Sequence, residues 1–164
     1  INGGSGNDTL LGGSGAETFF GGPGADFVDG NMGTDVVHLG DGDDTFNWDP
    51  GDASDVVDGD GGNDAMIVNG ANVAETIALG PNAGRLRFTR NIGNVVFDVG
   101  GVERVDYVAR GGADLVTVED LAGTGVTLVN VDLAQPGATG QSHGTRGSIS
   151  SSPPEISATL CLRV

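Results

Sequence analysis

The chain has 164 residues, of which 31 are glycine and 23 are aspartate or glutamate, against seven arginines and no lysine. A net charge of −16 argues against partners that are polyanions, namely nucleic acid and anionic membrane surfaces. No stretch approaches the ~18 apolar residues of a membrane span, and the single cysteine, Cys161, cannot form an internal disulfide. The length suits one domain, or two small ones that share a core. The excess of carboxylates predicts bound cations.

The chain from Gly3 to Ile67 repeats with a period of nine residues, interrupted once by two extra residues at Trp48 and Asp49. Each unit has a small residue, an acid two positions later, and an apolar residue two positions after the acid. The acids of the seven units are Asp8, Glu17, Asp26, Asp35, Asp44, Asp55 and Asp64. A repeat this regular predicts a stacked architecture built from one short unit.

The composition of the repeat predicts a calcium site. Successive glycines allow tight turns in which backbone carbonyl oxygens point inward, and the acid adds a carboxylate. Such a set of hard oxygen ligands suits calcium, whereas magnesium prefers water and a stricter octahedron. Zinc would need histidine or cysteine, and the repeats contain only His38. An EF-hand is excluded, because a loop starting at Asp58 has Asn69 at its twelfth position and no helical period flanks it.

Nine residues make a turn and a short strand, so two units complete one coil. Turns then alternate between two sides, which stacks unit one on unit three and unit two on unit four. With one ion between stacked turns, three gaps on one side and two on the other predict about five calcium sites.

The units resemble the GGxGxDxUx nonapeptide of the RTX (repeats-in-toxin) family, and Gly3–Asp8 and Gly21–Asp26 match it fully. The resemblance implies an all-β fold, a right-handed parallel β-roll or β-solenoid that binds calcium. Besides the seven acids, the implied calcium-binding positions are the first and third residues of the units: Gly3, Ser5, Gly12, Ser14, Gly21, Pro23, Gly30, Met32, Leu39, Asp41, Gly59 and Gly61.

Several units depart from the RTX pattern. Glu17 replaces aspartate, and Asn31 replaces the second glycine of its unit. Leu39 and Pro50 replace first glycines, and Ala53 replaces a turn glycine in the sixth unit. Together with the two-residue insertion, these changes make the sites between units five and seven, or four and six, the most divergent.

Three regions are predicted: the β-roll over 1–69, a β-rich continuation that caps the roll over 70–134, and a flexible tail over 135–164. All seven arginines follow residue 70. Strands are predicted within 84–90, 94–100, 102–108, 114–120 and 125–133 from their apolar patterns. Gly112, Asp114 and Val116 repeat the glycine, acid and apolar offsets once more. The best helical candidate is 72–79. The tail is rich in Gly, Ser, Thr and Pro.

Catalytic interpretations are weaker than structural ones. The sequence GQSHG at 140–144 fits a nucleophile elbow at Ser142, but Gly/Pro-rich and Ser-rich stretches flank it. His38 is expected to be solvated. The acid pairs Asp43–Asp44 and Asp58–Asp60 could suggest a glycosidase, but calcium loops explain them more simply.

Two further groups of side chains are explained by packing or solvation. Arg85, Arg87 and Arg90 predict a solvated strand face, with a docking face for the parent protein or an acidic glycan as the alternative. Phe46 and Trp48 are expected to pack over the interrupted rung.

The sequence therefore predicts a non-catalytic calcium-binding module of a secreted bacterial protein that folds on binding calcium. The resemblance implies an extracellular or cell-surface location, export by type I secretion with a signal in the tail, and a larger parent protein. One alternative is a substrate-positioning module of a secreted protease, lipase or epimerase, with a polysaccharide as ligand. The other is an adhesin or surface-layer spacer.

Overall fold

The computed structural model describes residues 1–132, 146–150 and 158–161, with side chains described for 1–132. In these ranges the chain forms strands and a single 3₁₀ turn at Ile92–Asn94, with no α-helix. No helix of the described part is long and apolar enough to cross a membrane. The strands are β1 (Thr9–Leu11), β2 (Thr18–Pro23), β3 (Phe27–Asp29), β4 (Val36–Asp41), β5 (Thr45–Trp48), β6 (Val56–Gly61), β7 (Ala65–Asn69), β8 (Thr76–Asn82), β9 (Arg85–Arg90), β10 (Val95–Gly100), β11 (Arg104–Val108), β12 (Leu115–Val118), β13 (Leu128–Asp132), β14 (Arg146–Ser150) and β15 (Ala158–Cys161).

Successive repeats alternate between two sheets. One sheet has the order β1-β3-β5-β7-β11-β13-β14, and the other has the order β15-β12-β8-β9-β10-β6-β4-β2. Within the repeats all pairings are parallel, and equivalent residues of alternate units are aligned: Leu10 pairs with Val28, and Phe19 with Val37. The predicted stacking of unit one on three and of two on four is confirmed, as are the all-β class and the parallel sheets. Closure of the two sheets into a solenoid stays a prediction. The right-handed coiling stays a prediction.

The apolar residue of each unit faces the space between the two sheets. Six of these seven side chains are fully buried, and Leu10, in the first strand, is 7% exposed. The buried series is Leu10, Phe19, Val28, Val37, Phe46, Val57 and Met66. Because each unit contributes only one or two such residues, the core is a single narrow column along the roll.

The two-residue insertion lies at one corner of the coil, between β5 and β6. Asp49 and Asp52 close a turn there: the Asp49 N–H donates to Asp52 Oδ2 at 2.7 Å, and the Asp52 N–H donates to the Asp49 carbonyl at 3.1 Å. The Trp48 indole N–H donates to the Ala53 carbonyl at 2.9 Å. Trp48 and Phe46 are both buried, as packing over the interrupted rung predicted.

Residues 70–132 extend both sheets with longer rungs. The antiparallel hairpin β9–β10 is inserted between β6 and β8, and β9 pairs antiparallel with β8. In contrast, β11 pairs in parallel with β7 and β13, and β12 pairs in parallel with β8. The five strands predicted in this region from apolar patterns are all present as β9 to β13. The helical candidate at 72–79 is wrong, because β8 covers its second half and no helix is present in the rest. Its buried Ile77 and Leu79 alternate with outward residues, which is the period of a strand.

Two short strands of the tail, β14 and β15, pair antiparallel with β13 and β12. The predicted division into three regions, and the predicted flexibility of 135–164, stay predictions. Ser142 and its GQSHG sequence lie outside the described residues.

Candidate calcium-binding ladders

The acids at the starts of the repeat strands form two ladders of hydrogen bonds along the roll. In the first ladder, the N–H of Asp8 donates to Asp26 Oδ1 at 2.8 Å, Asp26 N–H to Asp44 Oδ1 at 2.6 Å, and Asp44 N–H to Asp64 Oδ1 at 2.8 Å. In the second, Glu17 N–H donates to Asp35 Oδ1 and Asp35 N–H to Asp55 Oδ1, each at 2.8 Å. One carboxylate oxygen of each acceptor is therefore committed to the backbone of the preceding coil.

The other carboxylate oxygen of these aspartates has no hydrogen-bond partner. Six Oδ2 atoms are buried and unpartnered: those of Asp8, Asp26, Asp35, Asp44, Asp55 and Asp64. Buried polar atoms are nearly always hydrogen-bonded, and an unpaired buried charge costs several kcal/mol. Six unpartnered oxygens at equivalent positions therefore point to a binding site for a positive group in six of the seven repeat turns.

The glycines of the turns bring backbone very close to backbone. At Gly42 φ is +143°, and a Cβ there would overlap the Gly24 carbonyl oxygen of the stacked turn. Only glycine permits both this conformation and this approach. Stacked turns are also joined by the third-position carbonyls: those of Pro23, Asp41 and Gly61 accept N–H groups from the adjacent turn at 2.7–2.8 Å. A carbonyl oxygen has a second lone pair, so these atoms can still bind a cation.

Burial and neighbouring carboxylates raise the pKa values of several ladder aspartates. Burial raises the pKa of Asp55 and of Asp64 to about 7 from an ordinary 3.8, and neighbouring acids add to the shift. The backbone N–H donors partly oppose it. The same loss of hydration raises the pKa of Asp35 and Asp44. Without a cation, Asp55 and Asp64 therefore tend to hold protons near neutral pH.

The donor set fits calcium. Each turn offers carboxylate and carbonyl oxygens, the hard ligands that calcium takes in sets of six to eight. In the part of the chain that the structure describes, no three Asp, Glu, His or Cys side chains converge as a side-chain metal centre would require. Backbone carbonyls would therefore have to complete the shell. A bound divalent cation would supply positive charge to the six unpartnered oxygens and would fix the turns.

The predicted positions differ in how the structure places them. First-position residues lie beneath the turns, and Gly21, Gly30, Leu39 and Gly59 are buried. Third-position side chains point to the surface, including Ser5, Ser14, Met32 and Asp41. Glu17 is the exception among the acids, because its Oε2 folds back to accept the N–H of Gly13 at 3.2 Å. The hydrogen bonds of both ladders continue across the insertion, with a step of 20 residues instead of 18.

Two acids of the ladders were not predicted from the sequence, Glu75 and Glu103. Glu103 Oε2 accepts the N–H of Asp64 at 2.8 Å and so extends the first ladder. Glu75 donates its N–H to Asp114 Oδ1 at 2.9 Å, in the same way as the repeat acids. Both steps span 39 residues. The signal was present, since an apolar residue follows each acid by two positions, namely Val105 and Ile77. The pattern was not recognised because these acids do not follow the nine-residue period of the repeats.

The predicted solvated arginine face is wrong at Arg90. That side chain is 4% exposed and pairs with Glu75, because position 90 continues the inward series of Leu86 and Phe88. Arg85 bridges Asp58 and Asp98 across the second sheet, and Arg87 is exposed. Because Arg90 is buried, it cannot belong to the alternative docking face either.

His38 is partly exposed on the outer face of the second sheet. Its side chain is 38% exposed and stacks on Phe20 with ring centroids 5.3 Å apart. Its Nδ1 lies 3.8 Å from carboxylate oxygens of both Asp58 and Asp60. The imidazole is therefore on the opposite side of the sheet from the buried core.

The family comparison agrees with the ladders. The family model of the RTX calcium-binding nonapeptide repeat, described as four copies, matches residues 1–28 and 11–46. Residues 1–46 carry the RTX calcium-binding repeat. Neither the curated proteins nor the solved structures compared with the chain give a match. The RTX match ends within β5, whereas the ladder of unpartnered RTX-type carboxylates continues to Asp64.

Proposed function

We propose that this chain is a structural module that folds when calcium binds, in a secreted protein. The observation that carries the proposal is the set of six buried carboxylate oxygens without partners. In the absence of calcium, glycine entropy and repulsion between carboxylates oppose the compact form. Calcium bound at the turns offsets both, so its binding free energy contributes directly to folding.

The proposal extends to the number of ions and to their context. Three gaps between turns on one side and two on the other give about five ions, which would cancel roughly ten of the sixteen net negative charges. A chain that folds only outside the cell is suited to export in an unfolded state. The proposal therefore includes secretion by a type I route, and it includes a larger parent protein. Catalysis, where the parent has it, would belong to another region.

The test is a calcium titration of the purified chain, followed by circular dichroism and calorimetry. In excess chelator we expect most of the β-sheet signal of the repeats to be lost, and millimolar calcium to restore it. Magnesium at the same concentration should not. A β-sheet signal of equal strength in chelator and in calcium would contradict the proposal, as would calorimetry that detects no bound calcium.

A second candidate is a polysaccharide-binding module. It is favoured by Phe20 on the outer face of the second sheet, which is 49% accessible and stacks on His38 of the neighbouring strand. Exposed apolar groups of this kind mark interaction surfaces when they are contiguous. Gel retardation in neutral and acidic polysaccharides tests it, with Phe20→Ala as the variant. Equal mobility of the wild type with and without polysaccharide would reject this candidate.

A further inference from the structure

Glu75 occupies the position of a calcium-ladder acid. Gly70 stands five residues before it, as Gly59 stands before Asp64. A Cβ built on either glycine would lie 2.6 Å from a carboxylate oxygen of its acid. The N–H of Glu75 donates to the acid of the next turn, Asp114, as the repeat acids do. The backbone geometry around Glu75 is therefore that of the repeats.

The carboxylate of Glu75 differs from those of the repeats in being fully partnered. Its Oε2 accepts the Ala71 N–H at 2.8 Å and the Tyr107 hydroxyl at 2.9 Å. Its Oε1 accepts Nε–H of Arg90 in a buried ion pair. The Glu75 side chain has no solvent exposure. The unpartnered Oδ2 of the repeat aspartates corresponds to Oε2 of Glu75, since both lie against the first glycine of their unit, whereas Arg90 binds the other oxygen of Glu75.

Arg90 is held over Glu75 by contacts from several elements. One of its terminal nitrogens donates to the Ile92 carbonyl at 2.8 Å. The guanidinium carbon lies 5.2 Å from the centroid of the Trp48 ring, which is the geometry of a cation–π contact. A guanidinium cannot be deprotonated in a protein, so this positive charge is permanent.

We propose that Arg90 is a built-in cation that takes the place of calcium at the Glu75 turn. Strands β8, β9, β11 and β12, which carry or adjoin Glu75, Arg90, Tyr107 and Asp114, would then remain folded without calcium. This inference rests on the proposed function, because it contrasts one turn that needs no metal with the turns that do. On this proposal, β8, β9, β11 and β12 are folded with or without calcium, and the repeats assemble on them when calcium binds.

Hydrogen–deuterium exchange of the full chain, read by mass spectrometry, tests the inference. In excess chelator we expect peptides from β8, β9, β11 and β12 to stay protected, while peptides from β1 to β6 exchange freely. Millimolar calcium should protect both groups. Loss of protection in β8, β9, β11 and β12 on chelation would overturn the inference while leaving the proposed function intact. Protection of β1 to β6 in chelator would instead contradict the proposed function.

Three variants test the role of Arg90 itself. Arg90→Met keeps most of the side-chain volume but leaves Glu75 charged and unpaired, so protection of β8 and β9 in chelator should fall at least tenfold. Arg87→Met, three residues earlier on the same strand and exposed, is the matched control and should change nothing. Arg90→Met combined with Glu75→Gln removes both charges and should restore part of the protection. Wild-type protection in Arg90→Met would overturn the inference, as would an equal loss in Arg87→Met.

Discussion

The repeat turns and the Glu75 turn place their acids alike but give the carboxylates different partners. In both regions an acid precedes a strand, and a carboxylate oxygen of the next acid accepts its backbone N–H. In the repeats the second oxygen is buried without a partner, as at Asp44. At Glu75 the second oxygen accepts N–H and O–H groups, and Arg90 supplies the positive charge. The same backbone ladder thus works with two kinds of countercharge.

The difference between the repeat turns and the Glu75 turn shows that two properties have separate causes: how the coils stack, and the conditions under which the stack is stable. The ladder of backbone hydrogen bonds sets how coils stack, and it persists where the nonapeptide pattern has ended. The countercharge sets the conditions under which the stack is stable. On the functions proposed above, a permanent guanidinium would make one turn independent of calcium, whereas unpartnered carboxylates would make the others depend on a cation.

The largest expected effect comes from Gly42→Ala. A methyl group there would overlap the Gly24 carbonyl oxygen, and φ of +143° is unfavourable for alanine. We expect calcium to fail to fold the first six strands. Gly4→Ala is the control, because φ is +103° but no atom lies within 4 Å of the added carbon. Circular dichroism in calcium should show a large loss for the first and a small one for the second.

Paired substitutions of Asp44 and Glu75 should have opposite effects. Asp44→Asn removes an unpaired buried charge, so it should stabilise the calcium-free form and weaken calcium binding by about tenfold or more. Glu75→Gln leaves Arg90 buried without a charged partner, so it should destabilise the calcium-free form by about 3–5 kcal/mol and leave calcium affinity nearly unchanged. Denaturant unfolding in chelator, together with calorimetry, measures both.

The exposed neighbour Asp43 provides the control for Asp44. Asp43→Asn makes the same change of charge one residue away, so it should alter calcium affinity less than twofold by long-range electrostatics alone. Equal effects at positions 43 and 44 would mean that net charge, and not a ligand position, determines affinity.

Calcium binding should depend on pH in a window set by Asp55 and Asp64. Their folded, calcium-free pKa of about 7 is above the ordinary 3.8, so the folded form binds more protons than the unfolded chain between these values. The stability of the calcium-free form should therefore fall as pH rises from about 4 to 7. Calcium displaces these protons, so its affinity should rise over the same range and level off above about pH 8.

Calorimetry in buffers of different ionisation enthalpy measures the protons released on calcium binding. Near pH 6 we expect release of one or more protons per chain, and almost none at about pH 9. A proton count that is zero throughout would contradict the raised pKa values of these two aspartates.

A small effect is expected at Glu17. Its side chain folds back to the Gly13 N–H, whereas the aspartates of the repeats present an oxygen beneath the turn. Glu17→Asp should therefore raise calcium affinity modestly, by about twofold, while Asp26→Ala should lower it sharply. Calorimetry of both variants distinguishes a ligand series from a merely acidic surface, for which both changes would be negligible.

The repeat period was sufficient to predict the strands, their parallel pairing and the inward residues, because each of these follows from a fixed spacing. It could not reveal Glu75 or Glu103 as ladder acids, since the step lengthens from 18 residues to 39 where the hairpin β9–β10 is inserted. Arg90 was misplaced for a related reason. Alternation along β9 puts it on the inward face, but only the tertiary structure brings Glu75 close enough to stabilise a buried charge.

The corner between β5 and β6 shows that a coil can contain extra residues without a change in how it stacks on its neighbours. Two extra residues there form a turn closed by Asp49 and Asp52, and the acids on either side still meet as in uninterrupted coils. A foreign peptide inserted at Pro50 or Gly51 would thus leave the register of the flanking strands unchanged. This corner is a site for grafting a reporter or binding loop whose display would switch on with the folding of the roll.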